Sequence, residues 1–462
     1  MKPSLRVTTF AFGIVVGSLL FSQLAQAETG WKAGAARAVI TPEKAMWMSG
    51  YGGRNKPAEG KLTDLHAKVL VLEDEGQRRA VLITLDLVGI DRTLTRDICT
   101  SLADEYGLAR HQIGICTSHT HTGPAVGKNL APLHYLQVDQ QQQKLIDDYA
   151  VQLRAKIVAV VGEALNSLAP SQLAWGSGTA TFAVNRRNNS EAKVPEVRTA
   201  GKLVGPQDHD VPVLTVRDVE GNLKTVVFGY ACHSTVLSFY QWSGDYPGFA
   251  QIAFEENNPG CQAMFFAGCG ADQNPLPRRT VELARHYGRR LATAVEAVVL
   301  TSQMSPVRGS LTTSYQDIDL PLGKLPTREE ITKDTTSANK YTVARARMLL
   351  EQLDDGQSLA GTYPYPIGVW QIGGEVQFVL LGGEVVVDYA VRLKAELQGL
   401  NTWVAGYAND VMAYIPSRRV LAEGGYEGGG SMVYYGLPTI WAPELENDIV
   451  TEVHRQLEPS SP

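Results

Sequence analysis

The sequence predicts an α/β fold: a mixed β-sheet core flanked by helices, in a single large domain. Two observations carry this expectation. Short apolar runs of strand length alternate with longer runs of helical period over most of the 462 residues. No internal repeat and no Pro/Ser-rich linker cuts the chain in two. A composition of 44% hydrophobic and 19% charged residues supplies a substantial core and excludes wholesale disorder.

Taken in order, residues 67–72 and 79–87 read as buried strands and 93–106 as a helix. Residues 113–117 form a short apolar strand that ends at Ser118-His119-Thr120-His121-Thr122-Gly123-Pro124. Residues 141–168 carry long helical periodicity, and 211–216 and 224–232 are strands again. Residues 247–256 read as a helix with Pro247 in its first turn. A strand at 262–267 and a long helix at 279–300 follow. Residues 310–340 are polar and irregular, an excursion inside one domain. Residues 376–381 form a strand that leads into a helix from about Glu384. The run from Gly424 to Gly430 is a loop that reads equally as a lid or a surface turn.

The N-terminus has the layout of a secretory leader. Lys2 and Arg6 precede an apolar run over residues 10–21, and Ala25-Gln26-Ala27 fits a cleavage site, so residues 1–27 are expected to be removed. The run is shorter than the roughly 20 residues of a spanning helix, although an uncleaved anchor is the alternative. The product is then exported, periplasmic or secreted. Loss of Lys2 and Arg6 takes the formal net charge from −6 to −8. No basic cluster remains to follow a phosphate backbone, which argues against nucleic acid as a partner. The cysteines are Cys99, Cys116, Cys232, Cys261 and Cys269. An odd number leaves at least one thiol unpaired, and small buried hydrophobes are the favoured reading for most. Cys261 and Cys269 are close enough in sequence to pair if Cα geometry allows.

Chemistry-bearing residues cluster where apolar strands open into loops. His119 and His121 lie two apart at the end of one strand, so in extended chain their imidazoles face one point, an arrangement that suits a metal ion. Surface or hydrogen-bonded histidines are the plainer alternative. His233 follows another strand. Gly268-Cys269-Gly270-Ala271-Asp272-Gln273-Asn274-Pro275 follows a third, with small residues that admit a close ligand; an ordinary Gly-rich turn would look the same. Glu384 follows Leu381-Gly382-Gly383, as either a carboxylate at a helix start or a metal ligand. Tyr414 alone would pass as a packed aromatic.

In this order the segments resemble the neutral/alkaline (non-lysosomal) ceramidase family. The likeness begins near Met48-Ser49-Gly50-Tyr51-Gly52 and runs through Leu85-Asp86-Leu87, Ser118 to Pro124, Ala231 to Thr235, Ser243 to Gly248, Gly382-Gly383-Glu384 and the tyrosine-rich stretch from Asn409 to Glu427. The resemblance implies a catalytic domain over residues 28–462 and one Zn2+ held by His119, His233, Glu384 and Tyr414. Nitrogen and oxygen donors with an open position suit catalytic zinc. It further implies His121 beside the metal, placed to bond its water or a developing oxyanion, and Arg186 on the polar head of the substrate. The family's nucleophilic serine aligns with Asn274, whose amide cannot attack a carbonyl. Hydrolysis would then proceed by zinc-activated water, with Asn274 bonding the oxyanion and Asp272 orienting a ligand or acting as base.

These readings imply a zinc-dependent hydrolase of amide bonds on a small-molecule or lipid substrate, N-acyl lipids included, with room for peripheral membrane contact. The alternatives are a zinc esterase or other carbonyl hydrolase, and a non-catalytic exported binding protein on the same scaffold.

Overall fold

The computed structural model describes residues 30–300 and 304–458. They form an α/β domain with four layers: helices, a large mixed sheet, a smaller sheet, and helices again. The leader read at residues 1–27 lies outside the described residues. Among the described residues no helix is long and apolar enough to cross a membrane.

The large sheet runs, in spatial order, Gln262–Ala267, Leu223–Tyr230, Asp210–Asp218, Ala169–Thr179, Trp31–Val39, His66–Asp74, Arg79–Leu85 and Ile113–Thr117. Its interior pairs are antiparallel, and the outermost pair at each end is parallel. Alternate side chains divide the burial. Val69, Val71, Val81 and Ile83 face the helices Arg92–Tyr106 and Gln140–Asn166. Phe228 and Phe265 do the same against Asp245–Asn257 and Val281–Leu300. Leu70, Leu82, Leu214 and Phe266 point the other way, onto Trp370, Phe378 and Trp403 of the second sheet.

That second sheet is ordered Leu311–Pro321, Thr362–Ile372, Val376–Leu381, Thr402–Ala405, and its last pair is parallel. Its outer face packs on helices Asp388–Glu396 and Leu445–Leu457. The sequence therefore predicts the fold class and the single domain correctly, but the expected irregular excursion at 310–340 is in fact an eleven-residue strand and a helix, Arg328–Asp334. All five cysteines are free and buried, so Cys261 and Cys269 do not pair.

The two sheets are stitched together along one rim. Gly406 N–H donates to Ala267 O (3.0 Å), Asn409 N–H to Ile115 O (2.7 Å), and Thr117 N–H to Tyr407 O (3.3 Å). The parallel strands of both sheets end at this rim, so the loops that follow them meet in one place.

Candidate metal centre

Five loops bring their side chains to that rim. His119 follows Ile113–Thr117 and sits in the left-handed region at φ 57°, a conformation that turns its ring inward at some cost in backbone strain. His233 follows Leu223–Tyr230. The loop after His233 is pinned by the buried Asp245 carboxylate, which accepts from Leu237 N–H (2.8 Å) and Val236 N–H (3.3 Å). Glu384 was expected to open a helix. Instead it lies in a two-residue strand, Glu384–Val385, paired in parallel with Tyr414–Ile415, and the helix begins at Asp388. The cause is local: Gly383, at φ 75°, ends the preceding strand, and Glu384 N–H is then taken by Ala413 O (2.8 Å).

The resulting group is compact and buried. Ring nitrogens of His119, His121 and His233 lie within 4.8 Å of one another. Glu384 Oε2 is 3.3 Å from His119 Nε2 and 3.2 Å from His233 Nε2. Tyr414 OH is 3.4 Å from His233 Nε2. Each of these five residues is less than a tenth exposed.

The hydrogen bonds around the rings decide what the centre can hold. His119 Nδ1 donates to Val88 O (2.6 Å) and His233 Nδ1 to Gly270 O (2.7 Å). A carbonyl accepts only, so the proton of each neutral ring sits on Nδ1, and the Nε2 lone pair of each faces the centre. Glu384 Oε2 faces the same point and has no hydrogen-bond donor. Burial would raise the Glu384 carboxyl, but His119 and His233 outweigh it and hold it well below the usual range. Burial likewise holds the His233 imidazole down, at about 4. Lone pairs and a carboxylate aimed at one another repel unless a cation lies between them, so the donor set fits a divalent metal of zinc type.

His121 differs from the other two. Its Nε2 is 3.1 Å from His119 Nε2, yet its Nδ1 is buried without a partner, so no carbonyl fixes its proton. It is held from behind. Arg54 Nη2 donates to His121 O (2.7 Å), the Tyr51 ring stands 4.8 Å from its ring, and a Cβ on Gly50 would lie 2.5 Å from His121 Cγ.

Arg186 ties the centre to its surroundings. Its Nη2 donates to Tyr414 OH (3.1 Å), Nη1 to Asn274 Oδ1 (3.4 Å), and Nε to Glu427 Oε1 (2.7 Å). Glu427 also accepts from Arg187 Nη1 (2.7 Å). The segment 424–430 is thus anchored by a buried carboxylate, within a short π-turn over Tyr426–Gly430. Asp272 is brought close but turned away. Its oxygens accept from Val387 N–H (2.9 Å) and Asn185 Nδ2 (2.9 Å), which fixes the strand after Glu384 and the segment carrying Arg186. That geometry gives Asp272 a positioning role, and leaves no carboxylate oxygen free for the base expected of it.

Three residues here escaped the sequence reading. Tyr435 OH donates to Glu384 Oε1. Tyr407 stacks 4.2 Å from the His119 ring. Glu427 closes the arginine pair. Their only signal was the density of tyrosines over residues 407–435, which does not say which ring turns inward.

Comparison with known proteins agrees with this construction. The family model for the N-terminal region of neutral/alkaline non-lysosomal ceramidase matches residues 31–274. The neutral ceramidase of Pseudomonas aeruginosa is 24% identical over 481 aligned positions, 87% of this chain and 69% of that protein. The neutral ceramidase of Drosophila melanogaster is 25% identical over half of this chain and 33% of its own length. The crystal structure of the Pseudomonas aeruginosa enzyme shares the fold at a TM-score of 0.70 and 22% identity, over 92% of this chain and 73% of that one. A structure of ceramidase complexed with C2 also matches at 0.70, with 19% identity, over 94% and 77%. With the family model covering just over half of its length, the chain belongs to the neutral/alkaline non-lysosomal ceramidase family.

Proposed function

We propose that this chain is an exported, zinc-dependent hydrolase of amide bonds. The observation that carries the reading is the pair of imidazole lone pairs on His119 and His233 facing the unpartnered oxygen of Glu384. His119, His233, Glu384 and Tyr414 would hold the metal. When bound, zinc supplies Lewis acidity toward a carbonyl and toward water.

The remaining steps fall to the protein. His121 Nε2 faces the centre and takes the proton of the attacking water there, then returns it to the leaving nitrogen. Arg186 occupies the Oδ1 of Asn274, which leaves the Asn274 NH2 free to donate to the oxyanion of the tetrahedral intermediate. Arg186 itself holds Tyr414 in register. Asn274 cannot form an acyl-enzyme, so water attacks in a single displacement and no covalent intermediate accumulates.

The experiment is metal analysis and turnover on wild type and His119→Ala, with matched amide and ester substrates. The wild type should hold one zinc per chain and cleave amides, and His119→Ala should lose both. Zinc-loaded protein that cleaves esters and no amide would move the reading to an esterase. Protein without turnover on either would reduce it to a binding scaffold.

A further inference from the structure

The wall beside the centre points to what kind of molecule it serves; this inference rests on the hydrolase reading above. Arg186 and Asn274 form the inner end of a cleft of about 560 Å3. Its outer wall includes Arg187, Glu191, Arg278, Glu423 and Tyr426. No Leu, Ile, Val, Met or Phe lines it. Of the large apolar side chains left exposed among the described residues, only Tyr426 borders it, and that ring is 47% exposed.

The charges in the wall are already matched. Arg278 pairs with Glu191 (2.6 Å), Arg187 with Glu423 (3.0 Å) and Glu427 (2.7 Å), and Arg186 with Glu427 (2.7 Å). Three arginines face three glutamates, so neither a phosphate nor an ammonium group gains a net opposite charge. A hydrocarbon chain laid here would strip water from paired ions and meet no apolar surface in return. An uncharged group rich in hydroxyls or amides would exchange its hydrogen bonds with water for bonds to the wall, with the Tyr426 ring as a flat side against it.

We propose that the substrate is a small, water-soluble amide whose uncharged polar part occupies this cleft, and not a long-chain lipid amide. The test compares three amides: an N-acetylhexosamine, an N-acetylated dipeptide, and an N-hexadecanoyl amide presented in mixed micelles. On the zinc-loaded wild type, kcat/KM on the better polar amide should exceed that on the long-chain amide by at least about tenfold. The double variant Arg278→Leu/Glu191→Leu, its folding checked by thermal unfolding and its metal content by analysis, should raise KM for that amide by about fivefold. A preference for the long-chain amide, or an unchanged KM in the double variant, would overturn the polar cleft while leaving the hydrolase reading intact. Absence of turnover on every amide by zinc-loaded protein would instead remove the hydrolase reading, and this inference with it.

Discussion

At the scale of single residues, the centre is set by what lies behind each side chain. His119 and His233 are fixed as acceptors by carbonyls on their far sides, and His121 is not. That asymmetry separates two holders from one proton carrier. Asn274 carries the largest departure from the family pattern, because it keeps a donor where a nucleophile is expected. Asn274→Ala should therefore lower kcat by about a hundredfold with KM nearly unchanged, the cost of one oxyanion donor; a change confined to KM in steady-state kinetics would refute that role. His134 gives a second, independent handle. Its Nε2 accepts from Gly50 N–H (3.0 Å), behind His121, and burial lowers its pKa to about 3. In the unfolded chain it titrates near 6.5, so protons favour unfolding between the two values. Stability is then full above about pH 6.5 and falls with acidification by up to about 1.4 kcal/mol per unit. His134→Gln keeps an acceptor and should flatten this limb in denaturant melts at pH 7 and pH 5. A wild-type slope in that variant would show that His134 is not the cause.

At the scale of elements, strands that end at one rim do most of the positioning. The sequence made three of the approaches readable, because the apolar runs before His119, His233 and Asp272 stop where the chemistry-bearing loops begin. Glu384 was harder. Its two-residue strand borrows its partner from Tyr414–Ile415, thirty residues away, and no local pattern encodes such a pairing. The segment 424–430 shows the same limit. Its glycines read as a mobile or simple turn, but Glu427 is only 5% exposed and joins Arg186 to Arg187. Removing one partner from a buried ion pair costs about 3 kcal/mol or more. Glu427→Gln should accordingly speed amide hydrogen exchange across 424–430 and lower turnover through Arg186. Exchange as slow as in the wild type would mean that the ion pairs do not anchor this segment.

At the scale of the whole molecule, two sheets packed face to face support the site, and this layering was the least legible feature. The second sheet hides in the sequence for physical reasons. Leu311–Pro321 is a sheet-edge strand with mostly half-exposed polar residues. Thr362–Ile372 contains Pro364 and Pro366, which argue against a strand. They are tolerated because that end of it has a neighbour on one side only, since Val376–Leu381 pairs from Ile367 onward. The fold class survived because helices and buried strands on the larger sheet carry clear periodicity. The account as a whole stands on a cation held by nitrogen and oxygen from distant segments, with every cysteine buried elsewhere. X-ray absorption at the zinc edge, on wild type and on His119→Ala, tests this most directly. The wild type should show nitrogen or oxygen neighbours at about 2.0–2.2 Å, with imidazole scattering and no sulfur, and the variant should lose that spectrum. Sulfur ligation, or an identical spectrum in His119→Ala, would contradict it.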